Sequence, residues 1–260
     1  RTCQPEMALW GTYRFAKAQQ LQLELQYLYD PKKTDVTFGK MALTMPEHLF
    51  DEANDFIVSA VEEVVFWVRA RQMYEMEEYE LALRWLQEVP EREDTTYQRI
   101  AWQKARCHEA LQAFDQARRE YDLLLRIAPD SAQYWYGRGT AQARLSNYED
   151  ALLDLSESLR LDDQQAEPFH SRAMVYLRLN RLEDALEDGQ QLLALEPKQA
   201  TTHGLLAAIY AQMEDKPSLL RHFEQALQLG LNPQTYLTSL PALQAYEYDP
   251  QFQQLLREYP

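Results

Sequence analysis

Two glycines one residue apart, Gly137 and Gly139, flank Arg138 in "YWYGRGTAQARL" and raise phosphate binding as the first chemistry to test. A dinucleotide loop needs a strand before it, a third glycine and a helix after it, and no third glycine follows at that spacing. Thirty-four residues on, "PFHSRAMVYLRL" repeats the stretch, with Arg138 returning as Arg172, Gly139 as Ala173 and Arg144 as Arg178. The glycines are therefore small residues inside a repeated helix. His48, His108, His170, His203 and His222 are scattered, and none sits in a His-Glu-X-X-His zinc pattern. No Gly-X-Ser-X-Gly elbow and no calcium loop occurs. Cys107 precedes His108 directly, and sequence neighbours do not share a helical face, so packing explains the pair better than a nucleophile with its base. Paired carboxylates abound but fit solvated helix faces. The residues give no catalytic set, no metal ligands and no cofactor, and the chain reads as a non-enzyme. An accessory or catalytic subunit of an enzyme is the rival from another class.

The elements that would position any site follow from composition. The chain has 260 residues, 7 Gly, 12 Pro, 2 Cys and a net charge of -15, with 46% hydrophobic residues. That apolar content supports a folded protein. Low glycine argues against a turn-rich β architecture. The acidic balance disfavours nucleic acid, whose backbone is bound by clustered Lys and Arg. No run of about 18 apolar residues predicts a membrane span. Cys3 and Cys107 are too few for a disulfide framework, so cytoplasm and periplasm stay open. The start at Arg1 rather than Met reads as the loss of a processed leader or as a fragment boundary.

A repeat organises the middle of the chain. Ala117, Ala151, Ala185 and Leu219 follow one another at steps of 34. Eight residues beyond each stand Leu125, Leu159, Leu193 and Leu227. Pro129 and Pro197 stand twelve beyond the first and third, with Asp163 between them. An irregular copy around "EEYELALRWLQEVP" precedes these, its second helix cut short by Pro90. About five copies thus run over residues 61–234. Apolar residues recurring at three and four make each copy two helices. Asn147 or Asp215 marks the turn between them, and Pro217 suits a helix start. Ala105, Gly139, Ala173 and Ala207 occupy one place in the first helix, where a small side chain permits close approach.

With Trp135, Gly139, Tyr148, Ala151 and Leu159 spaced as they are, and Tyr176, Ala185 and Pro197 in the next copy, the chain resembles the tetratricopeptide repeat. The departures are Asp163 for proline, Gly189 where an aromatic or Leu is usual, and Leu219 for alanine. The resemblance implies an all-α, right-handed superhelical solenoid of antiparallel helix pairs that acts as a protein–protein interaction adaptor or assembly factor. It also implies that first helices line the concave face. Carried onto this chain, the partner-binding residues are Trp67, Arg71 and Tyr74, then Arg99, Trp102 and Arg106, then Tyr136, Thr140 and Arg144, then His170, Met174 and Arg178. The last copy offers only Gly204, Ala208 and Gln212. Arginine and aromatic side chains anchor peptides, so the expected partner is a peptide or protein segment with acidic and aromatic residues. The alternatives are that these aromatics pack between copies, or that the protein is a scaffold subunit packing through its ends and its acidic convex face. The asparagines by which a relative grips chaperone tails are missing: the matching places hold Trp102, Arg106, Gly137 and Ser171.

Arg138 and Arg172 have a second reading. Sixteen residues after Lys104, Arg138 and Arg172 stand Glu120, Asp154 and Asp188, while the fourth copy has Leu206 and His222. Charges that appear and vanish together read as ion pairs within each hairpin, in preference to ligand contacts.

The ends fall outside the period. Residues 1–60 read as a helical cap, with "EMALWGTYRFAKAQQLQLELQYLYD" a long helix presenting Leu21, Leu25 and Leu28. "PKKTDVTFGK" reads as a loop, and a helix starts near Pro46 behind Thr44 and Glu47. Trp10, Tyr13 and Phe15 form a partner surface in the alternative. Residues 235–260 read as closing helices like those common in bacterial proteins of this repeat class. Asp249 and Pro250 open the last helix and Phe252, Leu255 and Leu256 face inward; a partner-docking tail is the alternative.

Overall fold

The computed structural model describes the backbone of residues 8–16, 20–29 and 36–46, and then residues 63, 66–91, 97–239 and 241–259. The chain divides into two units, Arg1–Phe66 and Trp67–Pro260.

The first unit corrects the helical reading. Strands β1 (Ala8–Ala16), β2 (Gln20–Tyr29) and β3 (Val36–Pro46) form an antiparallel meander in the order β1-β2-β3. Leu21, Leu23, Leu25 and Tyr27 alternate with Gln20, Gln22, Glu24 and Gln26, a period of two that suits a pleated strand. Leu21 and Leu25 are four apart and fit either period, which is why a helix is predicted. The register sets Leu21 opposite Phe15 and Met45, and Leu23 opposite Tyr13 and Leu43. A register shift falls between Gln26 and Tyr27. Trp10, Tyr13 and Phe15 stand in β1, residues 36–40 of the expected loop belong to β3, and Thr44 and Pro46 close it. The helix expected beyond Pro46 lies outside the described residues up to 62.

The second unit is helical and bears out the solenoid. Its hairpins are α1 (helical over 67–75) with α2 (Tyr79–Gln87), α3 (Gln98–Ala110) with α4 (Phe114–Ile127), and α5 (Ala132–Arg144) with α6 (Tyr148–Leu161). Then come α7 (Ala166–Arg178) with α8 (Leu182–Leu195) and α9 (Ala200–Gln212) with α10 (Lys216–Gln228). Each second helix packs on the next first helix, and neighbouring first helices α5, α7 and α9 also touch. Pro129 and Pro197 follow the ends of α4 and α8, since a ring without N–H cannot continue a helix. Within each hairpin the turn uses one left-handed residue: Glu77, Gln112, Ser146, Asn180 and Glu214, with φ between 56° and 65°. The last four are 34 apart, so the repeat is visible in the backbone. Asp215 then caps α10 by accepting from the Ser218 N–H at 3.2 Å.

The anchor alanines Ala117, Ala151 and Ala185 are fully buried. Gly189 is explained by its neighbour. A Cβ there would stand 2.8 Å from Leu206 and 3.1 Å from Ile209, whose side chains fill the space an aromatic would take. The chain closes with α11 (Pro233–Ser239), α12 (Pro241–Gln244) and α13 (Pro250–Glu258). Asp249 accepts from the N–H groups of Gln251 and Phe252, and Phe252 is buried against Phe223 at a ring separation of 4.5 Å. Leu255 and Leu256 join the same core.

Candidate interaction face

The first helices separate two sets of arginines. Arg138 donates to Asp154 through Nε (2.8 Å) and Nη2 (2.7 Å), and Arg172 holds Asp188 at the same two distances. These are the expected ion pairs within a hairpin, and Asp154 and Asp188 are buried. Hydrogen bonding to Asp154 raises the Arg138 pKa despite burial. Burial pushes the Asp188 carboxyl up in spite of its arginine.

Lys104 and Glu120 depart from the pattern. Lys104 Nζ donates to the Tyr97 hydroxyl at 2.6 Å, and the buried Oε2 of Glu120 has no hydrogen-bond partner. A lysine offers one compact ammonium where arginine offers a planar fork, and Tyr97 holds it. Burial moves the Glu120 carboxyl to about 7, with Lys104 lowering it and Glu91 raising it. In the fourth copy the vanished charges give way to two histidines. His203 Nδ1 and His222 Nδ1 are 3.1 Å apart. Nε2 of His203 is 3.2 Å from the Pro197 carbonyl and serves as its donor. His203 Nδ1 is then the acceptor and His222 the donor.

The remaining candidates lie at or near the surface of the first helices. Arg71 is exposed, bonded to Glu75 at 3.1 Å and 5.8 Å from the Trp67 ring. Arg106 is exposed; its Nη2 donates to the Tyr74 hydroxyl at 3.1 Å, and its guanidinium lies 5.8 Å from the Trp102 ring. Trp102 is half-buried, 6.0 Å from the Tyr121 ring and 5.4 Å from that of Tyr134, so it also packs between copies. Tyr136, Thr140 and Arg144 line a cleft of about 540 Å³ with Glu109 and Phe114. Arg144 lies 5.5 Å over the Phe114 ring, and the Thr140 hydroxyl is turned back to the Tyr136 carbonyl. Met174 and Arg178 line a second cleft of about 940 Å³ with Ala208 and Gln212. Arg99, Arg144 and Arg178 are exposed and form no ion pair among the described residues. His170 is half-buried, and burial lowers its pKa. Gly204 is closed off, because a Cβ there would stand 2.5 Å from the Tyr236 ring.

Sequence spacing does not reveal Phe114 beneath Arg144, the two facing histidines, or Ala242, Ala245 and Tyr246 of the tail, which complete the larger cleft. The first falls one helix away and the last outside the period. For catalysis the face offers little. Burial raises the Cys107 thiol to about 11. No group of three His, Cys, Asp or Glu suited to a metal occurs among the described residues. The strongly displaced Glu120 and His222 line neither cleft. No described helix is long and apolar enough to cross a membrane.

The comparisons agree with this geometry. No curated protein matches the chain in sequence. Among solved structures, MamA from Desulfovibrio magneticus RS-1 is similar at 20% identity and a TM-score of 0.60, covering 65% of this chain and 94% of that one. Another MamA structure matches at 13% identity and a TM-score of 0.59, over 65% and 91%. YrrB, a TPR protein with an unusual peptide-binding site, is similar at 17% identity and a TM-score of 0.57, over 72% of this chain and 96% of that one. These likenesses are of fold. Residues 99–166 match the family described as tetratricopeptide repeat, and with hairpins of similar form on both sides, this chain contains tetratricopeptide repeats.

Proposed function

We propose that the protein is a non-catalytic adaptor that binds a peptide or protein segment along the face carried by its first helices, around Trp102, Arg106, Tyr136 and Arg144. The observation that carries this reading is the division of the arginines. Arg138 and Arg172 are committed to buried aspartates. Arg106 and Arg144 stand exposed against aromatic rings, Arg144 at the lip of a cleft. Guanidinium groups beside aromatic surface suit a partner with carboxylates and rings. YrrB, of the same fold, has a peptide-binding site. The test is affinity capture of partners from a native extract with the wild type and with Arg106→Glu/Arg144→Glu, both checked for equal helicity. Loss of the captured partners supports this face. Unchanged capture overturns it and points to the ends or the convex acidic side.

A further inference from the structure

The unpaired arginines recur in register. Arg144 ends α5 and Arg178 ends α7, 34 residues apart, and each stands at a cleft. Neither forms an ion pair among the described residues, although the chain carries a net charge of -15. The carboxylate that lines the Arg144 cleft, Glu109, is already engaged by the Tyr121 hydroxyl at 2.8 Å and lies 3.6 Å from Arg106. Two cations left open in so acidic a molecule call for carboxylates from outside.

We infer that the bound segment lies in the polyproline II conformation and carries two acidic side chains three residues apart, one on Arg144 and one on Arg178, followed by an apolar side chain seated between α7 and α9. This rests on the proposed use of the first-helix face. The spacing comes from geometry. α5 and α7 touch, helix axes in contact lie about 8–10 Å apart, and a polyproline II chain advances about 3.1 Å per residue with three residues per turn, so that every third side chain returns to the same side. Two intervening residues therefore match one hairpin step. The apolar residue comes from the cleft itself. Met174, Ala208, Ala211 and Ala242 give it a hydrocarbon floor in about 940 Å³. Lys216, which also lines the cleft, is bonded to Asp249.

The test uses fluorescein-labelled synthetic peptides and fluorescence anisotropy on the full chain. The probe is Glu-Ser-Ser-Glu-Ser-Leu, beside versions with the two Glu adjacent, six apart in a chain lengthened by three serines, or changed to Gln. The matched spacing is expected to bind about tenfold more tightly than the others, a step typical of one charge-assisted contact. Arg178→Glu is expected to remove that preference. Ala245→Trp, at an exposed turn position on the cleft, is expected to abolish the contribution of Leu while the Glu dependence persists. Binding indifferent to spacing or to Arg178→Glu, or no saturable binding at millimolar peptide, overturns the inference. If peptides fail while Arg106→Glu/Arg144→Glu still loses native partners, the face stands and only the spaced-carboxylate ligand falls.

Discussion

Arg138 closes its own hairpin on Asp154 with two parallel hydrogen bonds and reaches back with Nη1 to Asp122 of the preceding hairpin at 2.8 Å. Arg172 repeats the arrangement, holding Asp188 and reaching back to the Ser156 hydroxyl at 3.0 Å. Each reach back spans 16 residues, as does each reach forward. One guanidinium thus orients the two helices of its pair and also the stacking of that pair on the one before it.

Removing one partner should cost more than removing both. Arg172→Met leaves the Asp188 carboxylate buried and unpaired, and a loss of about 3–5 kcal/mol is expected. Arg172→Met/Asp188→Leu should recover most of it, because burial already opposes the Asp188 charge. Urea denaturation of the two single variants and the double one provides the cycle; additive losses would contradict the pairing.

A second prediction concerns Gly137. A Cβ there would stand 2.2 Å from the ring of Tyr121, which is buried and bonded to Glu109. Gly137→Ala should therefore destabilise by about 1–2 kcal/mol, the overpacking exceeding the gain in helix propensity. The next copy has Leu155 and Ser171 at the corresponding places. Tyr121→Leu/Gly137→Ala should accordingly melt above Gly137→Ala alone.

Glu120 should tie stability to pH. Its carboxyl is moved from 4.5 to about 7 in the fold, so the folded state holds a proton that the unfolded chain has released between those values. Stability from this group is complete below about 4.5 and is lost as pH rises to about 7. Glu120→Gln should raise stability by about 1–3 kcal/mol at pH 8 and change little at pH 4. Equal effects at both pH values in chemical denaturation would argue against the buried, unbonded carboxyl.

His222 should act in the opposite sense. Burial, then His203 and Arg221, lower its pKa from 6.5 to about 4. The folded state resists a proton that the unfolded chain takes up, so stability is present above about 6.5 and falls as pH drops towards 4. His222→Phe keeps a ring against Tyr210, which stacks on His222 at 5.5 Å, and removes the titration. Its melting temperature should vary less between pH 6.5 and 4 than that of the wild type.

Residue spacing alone sets the helical hairpins, their 34-residue step and the pairs Arg138–Asp154 and Arg172–Asp188. Those features are periodic, and a periodic pattern meets the same geometry in every copy. The remaining features depend on how distant segments pack, because there local patterns are ambiguous or a neighbour intervenes. Leu21 and Leu25 satisfy a helix and a strand alike, and only cross-strand pairing with Phe15 and Met45 chooses. Lys104 and Glu120 have the pair's spacing, yet Tyr97 takes the ammonium. The larger cleft needs Ala242 and Tyr246 from beyond the repeat, because a surface formed by distant segments exists only once the chain has brought them together.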